Sequence, residues 1–259
     1  MSHDRLADVL ERDEAAIGAR AMTVHPTVVE VIGGLGFDFA WLDLEHAGPS
    51  PYDSRALEGL TRAGDAASVD PLVRLPSGDP PLVHKVLDAG FRSLLVPQVQ
   101  DASEVRRAVA ATRFTYDGEP GNRGVGAGRA TRWGETGTGD TDRRDDEVTV
   151  GCMIETREAV ENVQSILSVP GLDFVFVGPS DLSVAYGRPM TRTHPDVTAA
   201  IERVRDAALD ADVPVGWVTD DTGDAAERLQ EGYRLLRVGD EVSAVRSVLG
   251  DRLDALRET

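Results

Sequence analysis

The chain has 259 residues, 41% of them hydrophobic, and a formal net charge of −18 from 45 acidic and 27 basic residues. That length and apolar content suit one large α/β domain, and no apolar run reaches the roughly 20 residues a membrane-spanning helix needs. So negative a field repels nucleic acid and anionic membrane surfaces, and neither is expected as a partner.

The opening, "MSHDRLADVLERDEAAIG", carries charges throughout and lacks the apolar core of a signal peptide. Eight short apolar runs follow: "GARAMTV" (18–24), "FDFAWLDLE" (37–45), "PLVRLP" (71–76), "SLLVPQV" (93–99), "VTVGCMIE" (148–155), "DFVFVGPS" (173–180), "PVGWVT" (214–219) and "YRLLRVG" (233–239). All are too apolar for half-exposed antiparallel strands and suit parallel strands covered on both faces. Between them lie helix signals. Thr27 and Glu30 fit a capping box, and Asp79 before Pro80 and Pro81 opens a helix that Gly90 stops. Residues 156–168 carry Val160, Val163, Ile166 and Leu167 at helical spacing, and a closing helix runs through Val242, Val245, Val248, Leu249, Leu253 and Leu256.

Eight alternations predict a single (β/α)8 TIM barrel over 1–259. The rival, a doubly wound open sheet, is weakened because no G-x-G-x-x-G follows the first strand. Residues 115–147 form the longest irregular stretch, glycine-rich and then acid-rich, and are expected to act as a lid or subunit contact. Cys152 is the only cysteine, so no intrachain disulfide is possible and a cytoplasmic location is the default expectation. Lys85 is the only lysine, the other 26 basic residues (27 − 1) being arginines. Acidic, lysine-poor surfaces are similar to those of salt-in halophiles, where carboxylates hold water and concentrated salt screens their repulsion.

Barrel chemistry gathers at the C-terminal strand ends. The polar residues there are His25, then Asp43, Glu45 and His46, then Arg74, Gln98, Glu155, Ser180 with Asp181, and Asp220 with Asp221. Acids from the fifth and sixth strands suit one hard cation, Mg²⁺ or Mn²⁺. Asp43, three residues before His46, is placed to orient its imidazole.

The words "LDLEHAG", "LVRLP", "KVLDAGFRSLLVPQV", "RGVGAGRATRWG", "MIETREAVENVQSI" and "GLDFVFVGPSDLSVAYG" occur in this order. Together they resemble the HpcH/HpaI family of metal-dependent pyruvate aldolases, barrels of the phosphoenolpyruvate/pyruvate superfamily. The resemblance implies cleavage of a 4-hydroxy-2-oxo acid to pyruvate and an aldehyde. It implies Glu155 and Asp181 as metal carboxylates and the backbone N–H groups of Ser180 and Asp181 as holders of the pyruvate carboxylate. By the same resemblance His46 is the general base, Arg74 steadies the developing enolate, and Asp88 raises the histidine's basicity, from a neighbouring subunit where the family assembles as hexamers built from trimers. Two departures stand out. Met153 occupies the place of a substrate-contacting glutamine, and "GEPGNRG" rearranges a double-proline loop.

A 2-keto-3-deoxy sugar acid is the first substrate expected and 4-hydroxy-2-oxoheptanedioate the second. A CoA-thioester lyase, a sugar-phosphate enzyme using "RVGDE" (237–241), and a catalytically silent keto-acid-binding barrel remain as alternatives. A Schiff-base mechanism needs a lysine at the active face, whereas Lys85 falls inside the predicted helix 80–89. His25 is expected to be structural, His3, His84 and His194 to have no role, and Arg123, Arg129 and Arg132 to pair with local acids.

Overall fold

The computed structural model describes residues 5–12, 14–135 and 140–258. All eight expected strands form: β1 (Ala16–Ala21), β2 (Phe39–Asp43), β3 (Asp70–Arg74), β4 (Ser93–Val96), β5 (Thr149–Ile154), β6 (Phe174–Val177), β7 (Val215–Thr219) and β8 (Leu235–Asp240). They are parallel, pair in chain order, and close where β8 meets β1. The (β/α)8 architecture read from the sequence is the one observed.

Helix α1 (Leu6–Glu11) precedes the barrel, and α2 (Pro26–Gly34), α3 (Ser54–Ala67), α4 (Pro80–Asp88) and α5 (Ala102–Thr112) follow β1 to β4. Helix α6 (Thr141–Asp146) comes before β5, with α7 (Arg157–Glu161) and α8 (Val163–Leu167) after it. The last turns of chain are α9 (Pro179–Ala185) and α10 (Pro195–Asp210) after β6, α11 (Thr222–Gln230) after β7, and α12 (Glu241–Arg257) after β8.

Two local expectations are corrected. Helix α2 is capped by His25, whose Nδ1 accepts from the Thr27 N–H at 3.2 Å, so Pro26 takes the first helical position and no Thr27–Glu30 box forms. The single helix expected over 156–168 is two short ones, divided at Asn162.

Strand alternation decides what fills the barrel. Ala16, Phe39, Trp41, Leu72, Leu95, Met153, Phe174, Phe176 and Leu235 pack together inside, while their odd-numbered or even-numbered neighbours such as Ala40, Val73, Leu94 and Val175 join the larger layer beneath the helices. The phenylalanine rings need room that only glycine leaves. A Cβ added at Gly18 would overlap the ring of Phe39, and one at Gly151 the ring of Phe174. Leu6, Val9 and Leu10 of α1 belong to the same inner cluster, and the Leu6 N–H donates to Asp70 Oδ2 at 3.0 Å, so α1 plugs the N-terminal end.

The stretch 115–147 is more structured than expected and stands elsewhere. It contains a two-residue hairpin pairing Thr115–Tyr116 with Glu119–Pro120, a 3-10 turn over Arg129–Gly134, and α6; residues 136–139 lie outside the described ones. Arg129 Nε donates to Thr61 Oγ1 at 3.1 Å and pairs with Asp65, Gly128 lies against the backbone of Asp88, and Arg123 pairs with Asp145 at 3.6 Å. Thr61 and Asp65 belong to α3 and Asp88 ends α4, whereas Asp145 lies in α6 within the stretch itself. The stretch links the bottom of α5 to the bottom of β5, so its described residues do not cover their own barrel mouth.

Helix α12 has no buried residue, and Val245, Val248, Leu249 and Leu253 stand exposed. Its apolar stripe, expected from the sequence, lies along a helix that touches β8.

Candidate active site

The same alternation carries polar side chains to the mouth. Two residues beyond the inward-facing Trp41, Leu72 and Met153 come Asp43, Arg74 and Glu155. Asp43 is fully buried. Its carboxylate accepts from Arg74 Nε at 3.1 Å and Nη2 at 2.6 Å, and from Arg20 Nη2 at 2.8 Å. It also accepts the backbone N–H groups of Glu45 at 3.0 Å and His46 at 3.2 Å. Burial works to raise the Asp43 carboxyl, but Arg74, the His46 amide and Arg20 hold it below the usual carboxylate range.

Asp43 thus shapes the loop after β2 through its backbone, not through the imidazole of His46. The ring of His46 is mostly exposed at the mouth, and its Nε2 lies 3.5 Å from Glu45 Oε2. Glu45 Oε2 is also 3.0 Å from Arg74 Nη1, an ion pair without hydrogen-bond geometry. Burial raises the Glu45 carboxyl against the pull of Arg74. Arg74 is itself nearly buried, 5.9 Å from the Trp41 ring centroid, with Nη1 donating to Met153 Sδ at 3.8 Å. Met153 therefore backs the arginine.

Glu155 is 1% exposed. One oxygen, Oε1, accepts the Gln98 N–H at 2.8 Å, which the left-handed backbone of Gln98 (φ 55°) turns toward it. The other, Oε2, is buried with no hydrogen-bond partner. Gly178 makes this possible, since a Cβ there would sit 2.5 Å from Oε2. Burial pushes the carboxyl up to about 7; the Gln98 amide opposes this, while Asp181 and Glu45 add to it. Asp181 and Ser180 stand in the first turn of α9, after Pro179.

A buried, orphaned carboxylate oxygen beside a second carboxylate is costly unless something positive sits between them. Glu155 and Asp181 offer hard oxygens, so the residues fit a divalent cation such as Mg²⁺ or Mn²⁺. No group of three or more candidate ligands occurs among the described residues.

Beside Arg74 and Asp181 lies a cavity of about 190 Å³ lined by Arg20, Trp41, Arg74, Met153, Gly178, Pro179, Ser180, Asp181, Arg192, Val218 and Arg237. Arg20, Arg192 and Arg237 were missed by sequence reasoning. The first and last are strand residues of even and odd register whose inward direction follows from Ala16, Gly18 and Leu235; Arg192, on the loop after α9, gave no signal.

Other expected residues lie apart. Asp88 ends α4 at the opposite end of the barrel, with His84, Lys85, Arg123 and Arg144 as its basic neighbours; burial raises its carboxyl. Lys85 is within α4, as expected. His25 and His194 cap α2 and α10, and His84 has a buried Nε2 without a partner. His3 lies outside the described residues. Asp220 pairs with Arg237, and Asp221 caps α11.

Comparisons with known proteins place the chain among its relatives. The family model described as HpcH/HpaI aldolase/citrate lyase matches residues 21–247. The hydroxypyruvate/pyruvate aldolase of Cupriavidus necator is 36% identical over 231 residues, 88% of this chain and 83% of that protein. The 5-keto-4-deoxy-D-glucarate aldolase of Shigella sonnei is 31% identical, covering 96% and 95% of the two chains. A crystal structure of an HpcH/HpaI aldolase/citrate lyase family protein from Burkholderia cenocepacia superposes with a TM-score of 0.90 at 34% identity, covering 97% of this chain and 98% of that one. The chain belongs to the HpcH/HpaI aldolase/citrate lyase family.

Proposed function

We propose that the protein is a divalent-metal-dependent aldolase that reversibly cleaves a 4-hydroxy-2-oxo acid, first of all a 2-keto-3-deoxy sugar acid, to pyruvate and an aldehyde. The observation that carries this reading is the orphaned Glu155 Oε2 beside Asp181. A cation held by those two carboxylates supplies Lewis acidity toward the keto acid. The named activities of the Cupriavidus and Shigella relatives support pyruvate as one product.

The chain's own residues then divide the work. His46 takes the proton of the C4 hydroxyl, the C3–C4 bond breaks, the aldehyde leaves, and the bonding pair passes to the pyruvate fragment as an enolate. Protonation at C3 gives pyruvate. Arg74, fixed by the buried Asp43, places its charge beside the developing oxyanion. The N–H groups of Ser180 and Asp181 at the start of α9 hold the carboxylate.

The cavity of about 190 Å³ favours a free acid over a CoA thioester; 4-hydroxy-2-oxoheptanedioate stands as the second substrate. The exposed apolar stripe of α12 supports a homo-oligomer, a trimer or hexamer, in which Asp88 of one copy approaches His46 of another. Mg²⁺ and Mn²⁺ both suit the oxygen ligands, and the charge balance suits cytoplasm rich in salt.

The test is a retro-aldol screen of 2-keto-3-deoxy acids with pyruvate detection, with and without EDTA, in dilute and molar KCl. Exchange of the pyruvate C3 protons is followed by NMR alongside it. EDTA-sensitive cleavage and exchange, retained in Lys85→Arg, are expected. Absence of exchange with either cation would leave a silent barrel, and loss of activity in Lys85→Arg would point to a Schiff base.

A further inference from the structure

Three neighbouring strands, β8, β1 and β2, are linked at their C-terminal exits by contacts that the mechanism above does not use. Glu241 follows β8 directly and opens α12. The register of β1 against β8 shifts between Gly18 and Arg20 and sets Arg20 opposite Asp240, which brings Glu241 beside the end of β1. There its carboxylate accepts the backbone N–H of Met22 on Oε2 and that of Thr23 on Oε1, each at 2.7 Å. β1 ends at Ala21, so both amides belong to the loop, and one carboxylate gathers them through charge-assisted bonds. The next residue, Val24, is held at φ 47°, a left-handed conformation that a β-branched residue adopts only under constraint, and it is buried. Its side chain lies against Gly48. A Cβ built on Gly48 would stand 3.1 Å from both Val24 Cβ and Val24 Cγ1, and as close to the Asp43 carbonyl oxygen.

Gly48 comes two residues after His46 in the loop that follows β2. The His46 side chain is 64% exposed, so packing does little to aim its ring, and the ring points where its backbone directs it. That backbone is fixed from two sides. On one, Asp43 Oδ1 accepts the His46 N–H at 3.2 Å. On the other, Gly48 rests on Val24, which keeps its place because Glu241 holds the two amides just before it. Asp43 and Glu241 thus act alike on adjacent loops, each tying down a pair of consecutive N–H groups.

We propose that Glu241 is a positioning residue for the reaction: it holds the loop after β1 against the loop after β2 and so sets where His46 stands over the substrate. The inference rests on the aldolase reading with His46 as base, and adds to it a residue that does not line the cavity. Glu241 touches no substrate and moves no proton. A reacting group misplaced by about 1 Å can cost about 10²-fold in rate, so loss of this support belongs in kcat. Ser180 and Asp181, which hold the substrate carboxylate in that reading, stand after β6 and are not part of the chain of contacts, so KM is little affected. Because Glu241 also opens α12, the seat of that helix and the aim of His46 are mechanically linked.

The test follows cleavage of 2-keto-3-deoxygluconate with Mg²⁺, or of 4-hydroxy-2-oxoheptanedioate where that is the better substrate. Glu241→Ala removes both acceptor oxygens and is expected to lower kcat by about 10- to 100-fold, with KM close to that of the unaltered protein. Glu241→Gln keeps one acceptor oxygen and should recover part of kcat. Gly48→Ala drives a Cβ into the Val24 contact from the other side, so Glu241→Ala added to it should cost much less than it does alone. Thermal melting checks folding, and sedimentation checks that assembly through α12 is unaltered. Where Glu241→Ala fails either, Glu241→Gln, alone and with Gly48→Ala, carries the comparison. Undiminished kcat in the folded Glu241 variant, a loss confined to KM, or losses that multiply in full in the double variant would overturn the positioning role. The aldolase reading survives those results as long as the unaltered protein cleaves. If the unaltered protein neither cleaves nor exchanges the pyruvate C3 protons, that reading falls and takes the role of Glu241 with it.

Discussion

The two ends of the barrel are built on opposite rules. At the N-terminal end Leu6, Val9 and Leu10 of α1 fill the bore against Phe39 and Phe174, and Asp70 accepts from the Leu6 N–H and from Ser93 Oγ at 2.8 Å. At the C-terminal end the same strands present Asp43, Arg74, Glu155 and Arg237, and Glu155 keeps an oxygen with no partner. Burial stabilises the first end through apolar contact, while at the second it makes carboxylates expensive. The function proposed above falls at the end where local stability was given up.

Glu155→Gln strains this contrast most. Catalysis should fall by at least about 10²–10³-fold, because charge that grips the cation is gone. Melting temperature in EDTA should nevertheless hold or rise, since a neutral amide replaces a buried carboxyl that resists ionisation. A clear drop in melting temperature would mean that the carboxylate is structural and the two ends are not opposed. Leu6→Ala probes the other end. It should destabilise by about 2–5 kcal/mol in denaturant titration and leave kcat of the folded fraction unaltered. A selective loss of kcat would tie the plug to the mouth.

The smallest effect is in pH. With its folded pKa raised to about 7 against an ordinary 4.5, Glu155 retains a proton that the unfolded chain releases, so its contribution to stability declines between those values as pH rises. A cation must displace the same proton. Affinity for Mn²⁺, measured calorimetrically, should therefore fall by about tenfold per pH unit below 7 and level off above it. A flat profile across that window would remove Glu155 as the titrating ligand.

Much of this was readable in advance. Each strand announced itself as an apolar run because both of its faces are buried, as "FVFV" in β6 shows. Glu155 and Asp181 were found by their places at strand ends and by the words around them. Arg20 and Arg237 were not, because a charged residue inside a strand reads as an interruption unless the inward register is already known. His25 was read as a residue after β1, and its capping role displaced the expected box. The stretch 115–147 looked like a lid from composition alone, yet only the direction of α5 decides at which end of the barrel it lies.

Cys152 has one more consequence. Its thiol sits at 1% exposure on β5, and burial first, with Glu155 second, drives its pKa upward. Almost no thiolate is present near neutrality, so alkylating reagents and mild oxidants have little to attack. Handling in air, without thiol reductants that would compete for added metal, is thus compatible with keeping the fifth stave of the barrel chemically intact.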